Sequence, residues 1–372
     1  MNLAFFKPNK LNYSETFVDA HIRLLPDPKF VLYGGFFPLY KPDGKLLIES
    51  KSGLISYYIQ KRLFKKKRIA IRTKSLVNYL KLNKIEVAFA EYGPTGALIA
   101  EACCQLRIPL IVNFHGFDIH HQPTVNEYLS SYQKLFKTAY AVIGVSRFMV
   151  AELIRIGLPP EKAIFNSCGV ETSFFLPVPV LISAPVFLSV ARFAEKKGPL
   201  QVIEAFSLTL AKIPAARLIM AGTGPLLEQS KMYARELGIE YSIDFKGVMS
   251  QREIIELMGI SRAFVQHSRT APSGDMEGTP VSVLEASSAA LPVISTRHAG
   301  IMDAVLENIT GFLVNEMDVQ KMSEHMITLA KDSDLAAKMG LRGRKHMIEN
   351  YEMSARIETI SNLLHSSMSN IK

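Results

Sequence analysis

The stretch GDMEGTPVSVLEA, Gly274 to Ala286, combines the signals of a helix start with two acidic residues. Pro280 suits the first position of a helix, because its missing N–H needs no partner there, and Thr279 suits the capping position before it. The stretch follows the strand-like run Ala263–Gln266. A helix that begins shortly after a strand is typical of parallel α/β proteins.

The same stretch offers groups that could bind a ligand. The free N–H groups between Gly278 and Ser282 would attract an anion such as a phosphate. Glu277 and Glu285 could accept hydrogen bonds from sugar hydroxyls. Acidic residues near a helix start also stabilise the helix itself. The stretch alone is therefore consistent either with an ordinary capped helix or with a site for a ligand that carries both phosphate and hydroxyl groups.

Outside this stretch, short apolar runs alternate with segments whose apolar residues recur at helical spacing. Near-continuous apolar strands are what a parallel sheet buried on both faces requires. The pattern therefore predicts an α/β protein with right-handed crossovers. The predicted strands are Lys29–Tyr33, Val87–Ala90, Leu110–Phe114, Ala141–Val145, Val186–Val190, Arg217–Ala221, Ile243–Lys246, Ala263–Gln266 and Pro292–Thr296, and the predicted helices include Gly198–Lys212, Pro225–Leu237 and Gln251–Gly259.

An uncharged, Pro-rich segment, LPVPVLISAP at Leu176–Pro185, separates one alternating set from the other. Segments of this kind form semi-rigid spacers. A length of 372 residues suits two domains. We therefore expect two Rossmann-like domains, residues 1–175 and 176–350. Residues 351–372 are expected to form one more amphipathic helix, grouped with the first domain.

The composition indicates a globular protein of the cytoplasm. Hydrophobic residues make up 48% of the chain and charged residues 21%. No apolar run reaches the roughly 18 residues of a membrane-spanning helix, and the first residues do not resemble a secretory signal. The 3 cysteines have no metal-ligand spacing and are expected to be reduced thiols.

The net charge of +9 is concentrated in the first half of the chain. The segment Lys61–Lys74 has 8 basic residues and no acid, and it follows the apolar and aromatic run Gly53–Gln60. This arrangement suits a helix on an anionic membrane surface, although a solvated helix face or a basic loop would look the same. Because no nucleic-acid-binding motif accompanies the charge, nucleic acid is not an expected partner.

Two turns in the second half follow predicted strands and could bind a phosphate. Arg192 and Lys197 lie in the first, and two cations there would reinforce the attraction of a helix start for an anion. Gly222 and Gly224 lie in the second, where they would let a ligand approach the backbone closely. Surface cations and a plain turn remain alternatives. Because Leu227 stands where a dinucleotide fingerprint requires Gly or Ala, an NAD-dependent oxidoreductase is excluded.

The first half carries further candidates at strand and helix ends. His115 ends a predicted strand and precedes a glycine, so it is placed to face a cleft, although buried histidines are commonly structural. Asp118 follows His115, and Ser146 follows the next strand. Ser14 and Thr16 could bind a ligand from a loop near the N-terminus, or could belong to a helix cap.

Taken in order, these motifs resemble the retaining glycosyltransferases of family 4, which have the two-domain GT-B fold. In the first half the likeness is to family members that build bacterial polysaccharides, although Asn12–Thr16 replaces the double-glycine loop that is common in the family. The segments that carry the resemblance are SVARFAEKKG (Ser189–Gly198), AGTGP (Ala221–Pro225), FKGV (Phe245–Val248), EGTPVSVLEA (Glu277–Ala286), LPVIST (Leu291–Thr296), TGFLV (Thr310–Val314), HGFDI (His115–Ile119) and SETF (Ser14–Phe17).

The resemblance implies roles for individual residues. His115 and Glu277 would be the catalytic residues that contact the transferred sugar, Arg192 and Lys197 would bind the diphosphate, and Glu285 would bind the ribose. Ser14, Thr16, Asp118 and Ser146 are candidates for loops that contact the acceptor or the donor. The remaining donor-binding candidates are Gly222, Gly224, Gly278, Thr279, Pro280 and Val281.

The implied activity is transfer of a sugar from a nucleotide-sugar donor, commonly a UDP-sugar, to a glycan or polyprenyl-linked acceptor, with retention of anomeric configuration. No metal and no cofactor are expected, because the cations would neutralise the diphosphate. The enzyme would work in the cytoplasm, at the inner face of the cell membrane if the basic segment binds there. A sugar-nucleotide epimerase or hydrolase and an inactive nucleotide-sugar-binding protein are the alternatives.

Overall fold

The computed structural model describes residues 1–10, 16–64 and 69–369. Ser14 therefore lies outside the described residues, as do residues 65–68 of the basic segment. Thr16 begins the first helix, but its side chain is not described.

The described chain forms two six-stranded sheets, and every strand pair in both is parallel. The strand orders are β2-β1-β3-β4-β5-β6 and β12-β11-β10-β7-β8-β9. This arrangement confirms the predicted α/β class. The strands are β1 Leu3–Phe6, β2 Lys29–Leu32, β3 Val87–Glu91, β4 Leu110–Phe114, β5 Ala141–Gly144, β6 Ala163–Phe165, β7 Val186–Val190, β8 Arg217–Ala221, β9 Ile243–Gly247, β10 Ala263–Val265, β11 Val293–Thr296 and β12 Gly311–Val314.

Helices connect the strands and cover both faces of each sheet, which is why strands such as Leu110–Phe114 are fully buried. The helices are α1 Thr16–Leu24, α2 Lys51–Arg62, α3 Ala70–Leu82, α4 Gly93–Gln105, α5 Gly116–His120, α6 Gln122–Thr138, α7 Arg147–Arg155, α8 Pro199–Leu210, α9 Leu227–Glu236, α10 Gln251–Gly259, α11 Val281–Ser288, α12 Ile301–Ala304, α13 Val319–Lys331, α14 Ser333–Asn350 and α15 Met353–Ser369.

The last helix returns to the first sheet. On α15, Ile357, Ile360 and Leu364 are buried in a cluster with Phe5 and Phe89 from the centre of that sheet. The chain therefore begins and ends on the same sheet, while the Pro-rich segment Leu176–Pro185 lies between the two sheets in sequence. The sequence patterns missed three strands, β1, β6 and β12, because each is short and lacks the β-branched alternation that marks a strand.

The two sheets face each other through the loops at the carboxyl ends of their strands. Three glycines allow the loops to approach closely. A Cβ on Gly116 would lie 2.4 Å from the carbonyl oxygen of Met276, and one on Gly278 would lie 2.7 Å from Val145. One on Gly300 would lie 3.0 Å from Cβ of Ser146 in the first domain. The carboxyl ends of both sheets therefore border one shared cleft, the place where open α/β sheets bind ligands.

Candidate active site

A cavity of about 770 Å³ lies in this cleft and is lined by loops from both sheets. Its size suits a ligand of several hundred daltons. Most of the predicted site residues line it. Those that do are His115, Arg192, Lys197, Gly222, Glu277, Gly278, Thr279, Pro280, Val281 and Glu285. Gly224, Asp118 and Ser146 are not among the lining residues.

Glu277 is buried in the second-domain wall beside two lysines. Its Oε2 lies 2.7 Å from Nζ of Lys197, and its Oε1 lies 3.7 Å from Nζ of Lys196. Burial by itself would raise the pKa of Glu277, but the two lysines lower it to about 2, so the carboxylate is ionised. Oε1 has no hydrogen-bond donor among the described residues. The wall thus contains an ionised acceptor atom whose hydrogen bonds the described residues do not complete.

The backbone of Glu277 is held by a histidine from the next loop. Nε2 of His298 accepts a hydrogen bond from the Glu277 N–H at 3.1 Å, and Nδ1 of His298 lies 2.7 Å from Oε1 of Glu316. The carboxylate only accepts, so Nδ1 carries the proton and Nε2 has the lone pair that the Glu277 N–H requires. The sequence patterns did not single out His298 or Glu316, because their contact spans two loops.

The predicted start of the helix after Glu277 was wrong by one residue. The helix α11 begins at Val281 and Pro280 is its N-cap, whereas Thr279 was expected to cap it. The hydroxyl of Thr279 instead donates to the carbonyl of Val145 in the first domain, at 2.6 Å. Thr279 therefore joins the two walls of the cleft, because the facing loop offers a carbonyl oxygen that accepts from its hydroxyl.

Glu285 lies one turn inside α11 and faces the cavity. It has no hydrogen-bond or ion-pair partner among the residues that the structure describes. Burial raises its pKa to about 7. Glu277 and Glu285, which looked alike in the sequence, thus differ in charge near neutral pH, because only Glu277 has lysine partners.

The two predicted glycines of the second turn have separate tasks. Gly222 and Gly224 both have positive φ values, of 133° and 157°. A Cβ at Gly222 would lie 2.0 Å from the carbonyl oxygen of Ala191, and one at Gly224 would lie 2.4 Å from that of Phe193. Both glycines thus pack against the turn that carries Arg192. Only Gly222 reaches the cavity wall, so the structure gives Gly224 a packing role instead of the predicted ligand contact.

The first turn places three cations around the cavity. Arg192 is exposed and lines the cavity. Its guanidinium has no hydrogen-bond or ion-pair partner among the residues that the structure describes. Lys197 is paired with Glu277, and Lys196 lies 3.2 Å from Asp275. The sequence patterns indicated no role for Lys196 or Asp275, although the neighbouring charges in EKK and GDME were a signal that could have pointed to them.

The first-domain wall is aromatic, with His115 at its centre. The imidazole of His115 packs against the rings of Phe17 and Tyr92, and each ring centroid lies 4.6 Å from that of His115. Behind it lies Glu91, fully buried, whose Oε2 is 2.8 Å from Nε2 of His115. Glu91 had no sequence signal, because an acid at the end of an apolar strand is indistinguishable from an ordinary strand terminus.

Asp118 and Ser146 support the backbone of this wall. Asp118 accepts hydrogen bonds from the N–H groups of His115 and Gly93, and Ser146 caps α7 by accepting from the Met149 N–H. Both are completely buried. The predicted ligand contacts at Asp118 and Ser146 are therefore corrected: Oδ2 of Asp118 and Oγ of Ser146 accept from N–H groups at helix starts.

Within the described ranges, no cluster of three or more His, Cys, Asp or Glu side chains has a geometry that could hold a metal ion. The sequence contains one Asp-x-Asp triplet, Asp332 to Asp334. Asp332 caps α14 by accepting from the Leu335 N–H, and neither aspartate lines the cavity.

None of the described helices combines the length and apolar character needed to cross a bilayer.

Comparison with known families places both halves of the chain among glycosyltransferases. A family model described as Glycosyl transferases group 1 matches residues 182–346, and one described as Glycosyltransferase Family 4 matches residues 45–174. The first match contains the turn with Arg192 and Lys197 and the stretch that opens α11. The second contains His115 and Glu91.

Two curated relatives come from polysaccharide biosynthesis. The putative colanic acid biosynthesis glycosyltransferase WcaL of Salmonella typhimurium is 30% identical over 288 residues, which cover 76% of this chain and 70% of WcaL. The amylovoran biosynthesis glycosyltransferase AmsK of Erwinia amylovora is 31% identical over 251 residues, which cover 66% of this chain and 61% of AmsK.

Among solved structures, the Anabaena protein Alr3699/HepE, crystallised in complex with UDP, has a similar fold. The TM-score is 0.78 at 18% identity, and the match covers 98% of this chain and 100% of that chain. This likeness over the whole chain confirms the GT-B architecture that the motifs predicted.

Proposed function

The chain belongs to the family 4 (group 1) glycosyltransferases, and from this premise we propose that it is a retaining enzyme of surface polysaccharide synthesis. It transfers a sugar from a UDP-sugar to a glycan or polyprenyl-linked acceptor. The colanic acid and amylovoran enzymes support the pathway class. The UDP complex of the Anabaena protein supports the nucleotide.

One observation carries the proposal. Oε1 of Glu277 is buried in the cavity wall, ionised and without a hydrogen-bond donor. A buried charge of this kind is costly unless a ligand completes its hydrogen bonds. Sugar hydroxyls are donors, whereas a phosphate at neutral pH is repelled by a carboxylate. The position beside Lys197 suits the junction between the sugar and the diphosphate of a nucleotide sugar.

The rest of the second-domain wall accommodates the remainder of such a donor. Arg192 and Lys197 neutralise the diphosphate, and the N–H groups at the start of α11 add the favourable end of its dipole. Glu285, unpaired in the described structure, accepts from the ribose hydroxyls. Neither a metal nor a cofactor is required in this scheme, so a chelator should leave the rate unchanged.

In the transfer step, the bond between the anomeric carbon and the diphosphate oxygen breaks as the acceptor oxygen bonds to the same face of that carbon. The acceptor proton passes to the departing diphosphate. Arg192 and Lys197 stabilise the negative charge that develops on this leaving group, the kind of stabilisation that supplies the largest rate effects in enzymes. His115 and Glu277 position the sugar from opposite walls.

The donor is tested by thermal stabilisation with a panel of UDP-, GDP- and ADP-sugars, since a ligand that binds the folded state raises its stability. UDP-sugars should raise the melting temperature most, and NMR of the product should show the donor's anomeric configuration. Inversion would overturn the retaining assignment, and conversion of the donor without any acceptor would favour the epimerase or hydrolase reading.

The enzyme is proposed to work at the inner face of the cell membrane. The helix α2 presents an exposed apolar stripe of Ile55, Tyr58, Ile59 and Leu63, with side chains 40–75% exposed. Lys61 and Arg62 flank this stripe. An apolar stripe bordered by cations suits an anionic lipid surface. The part of the basic segment at residues 65–68 lies outside the described residues.

Sedimentation with vesicles tests this location. The protein should bind phosphatidylglycerol vesicles at low salt and phosphatidylcholine vesicles weakly, and Ile55→Ser with Leu63→Ser should abolish binding. Leu341→Ser is the matched control, because Leu341 is 58% exposed on α14 of the other domain. Equal binding of the Ile55/Leu63 variant and the wild type would exclude α2 as the membrane contact.

A further inference from the structure

The cavity wall at His115 is supported by a buried group that none of the roles above uses. Glu91, at the end of β3, is 0% exposed and lies between two histidines. Its Oε1 lies 2.5 Å from Nδ1 of His21 and its Oε2 lies 2.8 Å from Nε2 of His115. The side-chain amide of Asn113 also donates to Oε2, at 3.0 Å. Glu91 therefore joins α1, β3 and β4 behind the cavity.

This arrangement determines which nitrogen of His115 carries a proton. Burial by itself would raise the pKa of Glu91, but His21 and His115 lower it to about 2, so the carboxylate is ionised and only accepts hydrogen bonds. Nε2 of His115 must then donate. In the neutral ring, Nδ1 is left with the lone pair.

The orientation of the ring is also determined. Phe17 and Tyr92 pack against the imidazole, but packing against aromatic rings does not distinguish a flat ring from the same ring turned over by 180°. Turning over would move Nε2 away from Glu91 and Asn113. The carboxylate therefore selects one of the two orientations that the aromatic neighbours leave available.

We propose that Glu91 is a positioning residue for sugar transfer: with His21 on its other oxygen, it fixes the tautomer and the orientation of His115. This inference rests on the proposed contact between His115 and the transferred sugar. Donor binding through the diphosphate is independent of Glu91, because Arg192 and Lys197 lie on the opposite wall.

The first test is spectroscopic and needs no substrate. In the wild-type protein labelled with ¹⁵N-histidine, His115 should show the Nε2–H tautomer, its signals being assigned by their loss in His115→Asn. Glu91→Leu should produce a mixture of tautomers, and Glu91→Gln, which keeps an acceptor oxygen, a smaller change. Observation of the Nδ1–H tautomer in the wild type would overturn the proposal even if no Glu91 variant folds.

The second test uses kinetics. Glu91→Leu should lower turnover by roughly 10- to 100-fold, the usual range for partners that orient a functional histidine, with the affinity for UDP unchanged. In a His115→Asn background the same change should have no further effect. Losses that multiply in the double variant would mean that Glu91 acts only through general stability.

The control is His21→Gln, which removes the distant partner and leaves the contact between Glu91 and His115 in place. It should preserve the tautomer and reduce turnover less than Glu91→Leu. If the wild type processes no sugar nucleotide, the proposed function fails, whereas the tautomer measurement still decides the inference about Glu91.

Discussion

The two walls of the cleft both contain glutamate and histidine, but in opposite order. In the second domain the carboxylate of Glu277 faces the cavity and His298 supports it from behind. In the first domain the imidazole of His115 faces the cavity and Glu91 supports it from behind. One wall therefore presents charge to the ligand, and the other presents an aromatic surface with its charge buried.

This difference separates the tasks of the two domains. A wall with Arg192, Lys196 and Lys197 suits the anionic part of a nucleotide sugar, because cations at a helix start attract phosphate. A wall of Phe17, Tyr92 and Phe117 suits the apolar faces of sugar rings. Changes to the cations of the second wall should therefore affect UDP binding and turnover together, whereas changes in the first wall should affect turnover alone.

The largest effect is expected for Lys197→Ala. This change removes a diphosphate partner and leaves the buried carboxylate of Glu277 without its 2.7 Å ion pair. Transfer should fall by at least about 100-fold, and calorimetry should show weaker UDP binding. Lys231→Ala is the control, because Lys231 is partly exposed, is paired with Glu228 and lies outside the cavity wall. Its transfer rate and its UDP affinity should equal those of the wild type. If the UDP affinity of Lys197→Ala equals that of the wild type, Lys197 does not bind the diphosphate of the donor.

A smaller effect is expected for Glu277→Gln, which keeps the shape of the side chain and removes its charge. Turnover should fall by about 10- to 100-fold, because a hydrogen bond from the sugar to a neutral amide is weaker than one to a carboxylate. The affinity for UDP, which lacks the transferred sugar, should remain nearly unchanged. If kcat remains constant and only the donor KM rises, Glu277 has a binding role alone.

The pH dependence of UDP binding tests the role of Glu285 in the second wall. Burial raises the pKa of Glu285 to about 7, so the group is mostly neutral at pH 6 and mostly ionised at pH 8, and the ionised form is the stronger acceptor for the ribose hydroxyls. The UDP affinity should therefore increase with pH by up to about tenfold between these values. Glu285→Gln should lack the part of this pH dependence that comes from Glu285. Calorimetry of UDP binding to the wild type and to the variant at both pH values measures that part. Glu91, with a pKa of about 2, cannot contribute in this range. Identical pH profiles would contradict the assignment.

The smallest effect is expected for Thr279→Val, which removes the hydrogen bond between the two walls at 2.6 Å. The free energy of unfolding should fall by about 1 kcal/mol, the usual contribution of one such bond. Val keeps the size of Thr, so packing is retained. Denaturant titration measures the change, and Thr138→Val, at an exposed helix end, provides the comparison. A loss no larger than in that control would show that Thr279 adds nothing to the contact between the domains.

The second wall was more predictable than the first for a physical reason. Arg192, Lys197, Gly222 and Glu277 lie in turns that follow strands, where residue type and local spacing already indicate a helix start and an anion site. The predicted start of α11 was wrong by one residue, and Gly224 does not line the cavity as expected. Both features depend on contacts between loops that are distant in sequence. Glu91 lies in a strand, and nothing near it in sequence distinguishes it.

The amino-acid sequence by itself determined the α/β class and most of the strands, since apolar runs and turn residues act locally. It also singled out Arg192, Lys197 and Glu277 of the charged wall, but not Lys196. Only the tertiary structure decided which oxygen of Glu277 is free, that Glu285 is unpaired, and that His21 and His115 share one carboxylate. His21 and Glu91 are 70 positions apart, and the pKa of a buried group depends on the charges that folding brings beside it.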